Sequence, residues 1–316
     1  MTQPLSTLDT VLEESAWRER RARHETRVRP WVEPRQERRK SGGKHPTDDF
    51  LFEYYPYSMG KLLAWHPGHG TALAGDFREY LEFPQYTRVA EGVTTSLTWL
   101  TVSPDRVNRL NLAIRLLEGM ETRPANTGCF GLHEWAMVYG LEQSEIRHSA
   151  FPLRLTPGEI TDTVHDVGLR CTHIDAYRFF TPAAMPLNPI EPTRATQPDL
   201  DQPGCLHANM DLYKYSMWFS PYVSSDLIAD SFELARSART LDMQASPYDV
   251  SQFGLEPIKV EIPEGRSEYA MRQRKIMEQS APLRDRLLVS LRLIQNMLNA
   301  DNLQVENLDY ASSENS

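Results

Sequence analysis

The chain contains three cysteines, and each lies just ahead of a histidine: Cys129 with His133, Cys171 with His173, Cys205 with His207. A carboxylate follows each histidine closely: Glu134, Asp175 and Asp211. Thiolate, imidazole and carboxylate are the side chains that bind transition metals and move protons. Three such clusters between Cys129 and Asp211 read as parts of one site and point to an enzyme. A structural zinc site shows tighter CxxC pairs, and none is present. No GxGxxG, Walker A or HExxH string occurs, so nucleotide-binding and zincin chemistry have no support.

Each cluster carries its own geometric expectation. His133 and Glu134 open an apolar helix, where adjacent side chains point about 100° apart; one acts and the other supports it. Cys171, His173 and Asp175 alternate, which on a strand puts all three on one face. His-x-Asp with a distant His207 is the pattern of a two-histidine, one-carboxylate iron site. His207 and Asp211 lie one helical turn apart, with Lys214 three residues further on. The expected metal ligands are therefore His133, His173, Asp175 and His207, and the expected catalytic groups are Glu134, Asp211 and Lys214. Cys129, Cys171 and Cys205 are candidate further ligands or reactive thiols. Trp135, Tyr139, Tyr177 and Tyr213 are candidate walls of a pocket for a flat ligand. The donor types suit iron, manganese or zinc, and a haem on one axial histidine is the other cofactor they could hold. His66 and His69 have HxxH spacing, but in a Pro/Gly loop that spacing fixes no common face. His148 and His165 read as surface or core residues.

The elements that must position these groups read as mainly helical. Ser103-Pro104 starts a helix with Val107, Leu110, Ile114 and Leu117 on one stripe. Leu132 to Tyr139 reads as a short apolar helix. Thr156-Pro157-Gly158-Glu159 is a capping box, and that helix ends at Gly168. Leu169 to Phe180 is rich in β-branched and aromatic residues and reads as a strand; Phe50 to Tyr57 reads as a strand or extended segment. Thr181 to Gly204 holds six prolines and reads as irregular. Leu206 to Phe219 and a segment from Ser224 or Ser225 read as helices, the latter with Leu227, Leu234, Ala238 and Leu241 inward. Leu283, Leu287, Leu291, Ile294 and Leu298 form a last helical stripe, facing the core or a dimer partner.

The net charge is −9 over 316 residues. Eleven Lys and Arg against four Glu fall between Trp17 and Lys44. Residues 1–44 therefore read as a disordered basic arm that could contact nucleic acid, 45–300 as one large globular domain, and 301–316 as a polar tail. The acidic body is a poor surface for nucleic acid outside that arm. No stretch is long and apolar enough for a membrane helix, no secretory signal is visible, and three cysteines make no disulfide framework. A cytoplasmic protein of mainly α class with a few short strands is expected.

Five strings resemble an actinobacterial protein family labelled 3-methyladenine DNA glycosylase. They are His45-Pro-Thr-Asp-Asp-Phe50, Cys129-Phe-Gly-Leu-His-Glu-Trp-Ala-Met-Val-Tyr139, His173-Ile-Asp-Ala-Tyr-Arg-Phe-Phe-Thr-Pro182, Gly204-Cys-Leu-His-Ala-Asn-Met-Asp-Leu-Tyr-Lys214 and Leu241-Asp-Met-Gln-Ala-Ser-Pro-Tyr-Asp249. The resemblance implies release of alkylated purine bases and carries over no catalytic residue; read from the residues, Glu134, Asp175 or Asp211 could supply the assisting carboxylate and the nearby tyrosines and tryptophans the faces around the base. The residues themselves favour a metal-supported oxygenase or hydrolase acting on a small, flat substrate. A non-catalytic partner-binding protein, using the basic arm and the leucine stripe, is the third reading.

Overall fold

A computed structural model describes residues 10–90, 93–97, 103–146 and 151–313; His148 lies outside them. The fold is mainly α with one small sheet, as expected. The sheet runs in the order β1-β2-β4-β3, where β1 is Thr10–Leu12, β2 Thr71–Ala74, β3 Tyr86–Ala90 and β4 Val93–Leu97. β1 lies parallel to β2, pairing Thr10 with Thr71, and the other two pairings are antiparallel. Among the described residues, no helix is long and apolar enough to cross a membrane.

The basic segment is not a disordered arm. Residues Glu14–Ser41 form helix α1, and Trp17, His24, Val28 and Val32 are buried along it. The Trp17 indole donates to the Ala74 carbonyl at 2.9 Å, which ties the helix to the sheet. Four of its nine arginines reach carboxylates of the body: Arg21 on Glu79, Arg27 on Asp230 and Glu233, Arg35 and Arg38 on Asp49, and Arg18 lies 3.6 Å from Glu79 as well. The basic segment and the acidic body thus partly neutralise each other within one molecule. Phe50 to Tyr57, expected as a strand or extended segment, instead opens with the short helix α2 over Phe50–Tyr54, and α3 follows over Met59–Leu63.

Local signals fixed the next helices well. Helix α4 is Pro104–Thr122 with Ser103 before its first turn. A one-turn helix, α5, covers Leu132–Ala136. Helix α6 is Pro157–Val167, with both bonds of the Thr156–Glu159 capping box formed and Gly168 at φ 80° beyond its end. The expected strand over Leu169 to Phe180 is absent. Cys171 instead exchanges two hydrogen bonds with the Asn188 side chain, at 2.8 and 2.9 Å, which satisfies its backbone without a sheet partner. His173 then begins a one-turn helix, α7, over Ile174–Tyr177. The proline-rich connection is irregular apart from short turns, one of them helix α8 at Gln197–Leu200.

Helix α9, Leu206–Trp218, is buried on nearly every face. It packs most extensively against α10, Ser225–Ala245, and both lie against α11, Pro263–Ser313. A helix surrounded on all sides brings polar residues into the interior as readily as apolar ones. Leu287, Leu291, Ile294 and Leu298 are buried in the chain's own core, so that stripe is not a free dimer seam. Residues 301–313 continue α11 rather than forming a loose tail. One connected hydrophobic core runs from Leu12 and Trp17 to Leu298.

Candidate functional site

The three sequence clusters do converge. Cys129, Cys171, Cys205, His133, His173 and His207 all line one small, partly open cavity of about 20 Å³. The His207 ring stands at the centre, 4.6 Å from that of His133 and 5.6 Å from that of His173. Three different devices bring them there. Phe130 and Gly131, at φ 47° and 74°, turn the chain sharply into α5 and deliver His133. At Gly131 a Cβ would meet Ala245 Cβ at 3.3 Å, so the left-handed turn and the close approach both call for glycine. His173 caps α7, and His207 sits in the first turn of α9.

Around this centre the carboxylates sort into two groups. In the first, one ligand atom each of His133, His207 and Asp242 lie within 4.8 Å of one another. His133 Nε2 and Asp242 Oδ1 form a buried ion pair at 2.6 Å and neither atom has another partner; burial opposes charge on His133, but Asp242 holds its imidazole above the ordinary value. The other Asp242 oxygen accepts from Arg239 Nη1 at 2.6 Å, and the same nitrogen donates to Glu134 at 2.5 Å. His133 and Glu134 therefore engage the two members of one buried Asp242–Arg239 pair from adjacent positions on α5. Burial opposes charge on Asp242, but His133 and Arg239 prevail and hold its carboxyl well below the usual range. Burial, reinforced by His133, pushes the His207 imidazole well below its ordinary value, which leaves it neutral with a lone pair to offer.

The second group is His173, Asp175 and Asp211, again within 4.8 Å. Here a cation is already supplied. The Lys214 ammonium bonds Asp211 and lies 3.6 Å from Asp175. Asp211 also accepts from Tyr55 at 2.8 Å and Tyr215 at 3.2 Å. Arg194 grips both Asp175 oxygens. Burial opposes charge on Asp175, but these cations hold its pKa down to about 2. His173 Nδ1 is 2.8 Å from Asp201 Oδ1, and its Nε2 is buried without a hydrogen bond. The expected set of His173, Asp175 and His207 is thus divided: His207 joins the first group, and Asp175 is an arginine and lysine partner.

A second, open cleft of about 300 Å³ reaches the first group from solvent. His207, Glu134 and Arg239 line its inner part, with Asp175 and Arg178 nearby and Phe50, Tyr54, Phe179 and Tyr248 as aromatic walls. Phe50 and Tyr54, one turn apart on α2, stack at 4.9 Å and 16°. The aromatics expected from sequence are elsewhere. Trp135 is core and bonds the Ala245 carbonyl, Tyr139 bonds His165, and Tyr213 packs against Tyr55 and Phe232. Tyr177 is buried against Phe180. Asp211 and Lys214 do not line the cleft; they close the charge network beneath it. No cysteine sulfur joins either ligand group among the described residues. Burial raises all three thiols, Cys171 to about 12, so they are neutral thiols.

Sequence reading missed Asp242, Arg239, Asp201, Arg194, Arg178 and Tyr54. One signal was present: Arg239 and Asp242 interrupt the inward stripe of Leu234, Ala238 and Leu241 at helical spacing. A charged pair on a buried face calls for partners inside the protein. No protein-family model, curated protein or solved structure matches this chain.

Proposed function

We propose that the protein is a metal-supported enzyme that acts on a small, flat substrate in the aromatic cleft, with a divalent transition metal on His133, His207 and Asp242. The observation that carries this reading is the convergence of His133 Nε2 and Asp242 Oδ1, which meet only each other, beside the neutral His207, with one ligand atom of each of the three within 4.8 Å of the others. An ion there would displace the proton between His133 and Asp242 and take a lone pair from each. Two histidines and one carboxylate suit Fe(II), and also Zn(II) or Mn(II). When bound, such an ion supplies Lewis-acid chemistry, or redox chemistry if it is iron.

The chain's own residues divide the remaining work. Arg239 fixes the Asp242 carboxylate through Oδ2 and so turns Oδ1 toward His133. His207 lines both the small cavity and the cleft, so it is the histidine that borders substrate. Glu134 faces the cleft beside it and is the nearest carboxylate for proton transfer, its position set by Arg239. The network of Lys214, Asp175, Asp211 and His173 holds α7 against α9 and needs no second ion.

Elemental analysis of untagged protein purified without chelators tests this. The expected result is about one equivalent of iron, manganese or zinc per chain, lost in His207→Ala and retained in Asp211→Asn. Protein that stays metal-free after reconstitution would sink the reading. One observation, the aromatic walls, also favours the base glycosylase that the family resemblance implies. Its signature is base release from alkylated duplex DNA that persists under chelation.

A further inference from the structure

The groups that face the cleft differ in how far their bonding capacity is used. Its carboxylates are all paired: Glu134 with Arg239, Glu53 with Arg35 at 2.8 Å, and Asp175 with Arg194 through two hydrogen bonds. Arg239 is engaged through Nη1 with two carboxylates and through Nε, 3.5 Å from the Pro46 carbonyl, and its guanidinium lies 3.9 Å over the Phe50 ring. Two donors remain. The Arg178 guanidinium approaches Asp175 only through Nε, at 3.2 Å, and lies 4.6 Å over the Phe179 ring with half its side chain in solvent. Among the described residues its two Nη groups make no hydrogen bond. The Tyr54 hydroxyl is buried without a partner, and Tyr54 also lines the cleft.

Asp175 already has Arg194 on both oxygens and Lys214 at 3.6 Å, so the Arg178 charge is surplus there. A planar guanidinium with both Nη groups free matches a carboxylate or phosphate, and a neutral phenol adds a third donor. No carboxylate in the cleft is free to receive a cationic ring. The Tyr54 ring, stacked on a Phe50 that Arg239 covers at 3.9 Å, and the Arg178-backed Phe179 ring supply flat apolar faces. A volume of about 300 Å³ lies at the small end for ligand sites and fits one or two rings.

We propose that the cleft binds a planar aromatic or heteroaromatic acid, whose anionic group is held by Arg178 and the Tyr54 hydroxyl while its ring lies between the aromatic walls. The other edge of the ring then faces His207 and Glu134. Which edge reacts rests on the metal-enzyme reading above; the choice of an anion does not.

The test uses calorimetric titration of the full chain, metal-loaded and chelated, with four probes: benzoate, phenyl phosphate, benzamide and benzamidine. At least one anion is expected to bind about tenfold or more tightly than neutral benzamide, and benzamidine least. The stronger of the two anions identifies a carboxylate or a phosphate ligand. Arg178→Gln should remove most of that preference, and Tyr54→Phe should weaken the anion severalfold while sparing benzamide. The proposal is overturned if benzamide or benzamidine matches both anions, if Arg178→Gln leaves the preference intact, or if no probe binds at millimolar concentration. Anion preference in a protein that takes up no metal would remove the metal-enzyme reading alone. Metal uptake without anion preference would remove this proposal alone.

Discussion

Asp242→Asn separates the two ligand groups energetically. Asparagine keeps the shape of the side chain and removes the charge that faces both His133 Nε2 and Arg239. A metal at about one hundred times its dissociation constant stabilises the native chain by about 2.7 kcal/mol. At about 2.1 cal/mol/K per residue, 316 residues unfold with an entropy near 0.66 kcal/mol/K, so saturating metal should raise the wild-type Tm by about 4 °C. In Asp242→Asn that rise should fall below about 1 °C. The metal-free variant should itself be weaker, because removing one partner of a buried ion pair costs about 3–5 kcal/mol, or about 5–8 °C here. Asp211→Asn is the control. It strips an acceptor from Lys214, Tyr55 and Tyr215 and should also lower the metal-free Tm, but it should keep the full metal-dependent rise. The readout is thus the difference between metal-loaded and metal-free scans, measured by differential scanning calorimetry, and not the absolute Tm. If Asp242→Asn folds too poorly to scan, His207→Gln serves in its place. A full rise in either first-group variant, or its loss in Asp211→Asn alone, refutes the assignment of the ion.

Three further predictions concern the frame around the site. Trp17→Ala should cost about 3–5 kcal/mol, seen as a lower denaturation midpoint and faster proteolysis within α1; an unchanged midpoint would mean that the helix is not docked. His66 is buried with Nδ1 3.0 Å from the Tyr86 hydroxyl, and burial, aided by His24, lowers its pKa from 6.5 to about 4. Its neutral form therefore contributes fully above pH 6.5, progressively less as pH falls, and nothing below about pH 4, a loss of about 3 kcal/mol. His66→Gln should flatten the Tm profile across that window, and a profile as steep as wild type would contradict the burial argument. Leu291→Ala should cost about 2–5 kcal/mol while leaving the sedimentation coefficient unchanged, since the stripe packs inward; dissociation of an oligomer would restore the dimer-seam reading.

The helices that could be read from the chain are those whose ends carry their own chemistry. Pro104 after Ser103, the Thr156–Glu159 capping box and Gly168 each specify a terminus through contacts made within a few residues. Helix α1 has no such signal. Its buried face is only Trp17, His24, Val28 and Val32, and two prolines interrupt it. What holds it are partners far along the chain, from Asp49 to Glu233, and a charge count sees those residues only as a net excess. The false strand after Leu169 has a related cause. A β-branched and aromatic run satisfies strand propensity, but a strand needs a neighbour, and the Asn188 side chain took that place.

The site was legible as a meeting place and illegible as a set of pairs. Cysteine and histidine are few in this chain, so their repeated juxtaposition carried information, and all six residues do face one cavity. Carboxylates are common, so proximity in sequence to a histidine carried almost none. Each of these histidines instead meets a carboxylate far from its own cluster: Asp242 for His133 and Asp201 for His173, with His207 sharing the first. The near carboxylates went to cations, Glu134 to Arg239, Asp175 to Arg194 and Asp211 to Lys214. The exchange has a physical reason. His133 and Glu134 are adjacent on one turn, so their side chains diverge, while Asp175, within 4.8 Å of His173, is held by Arg194 and Lys214 instead. A buried imidazole must then draw its partner from a different helix. A polar residue on the inward face of α10 was therefore the better guide to the ligand set than any spacing within the clusters.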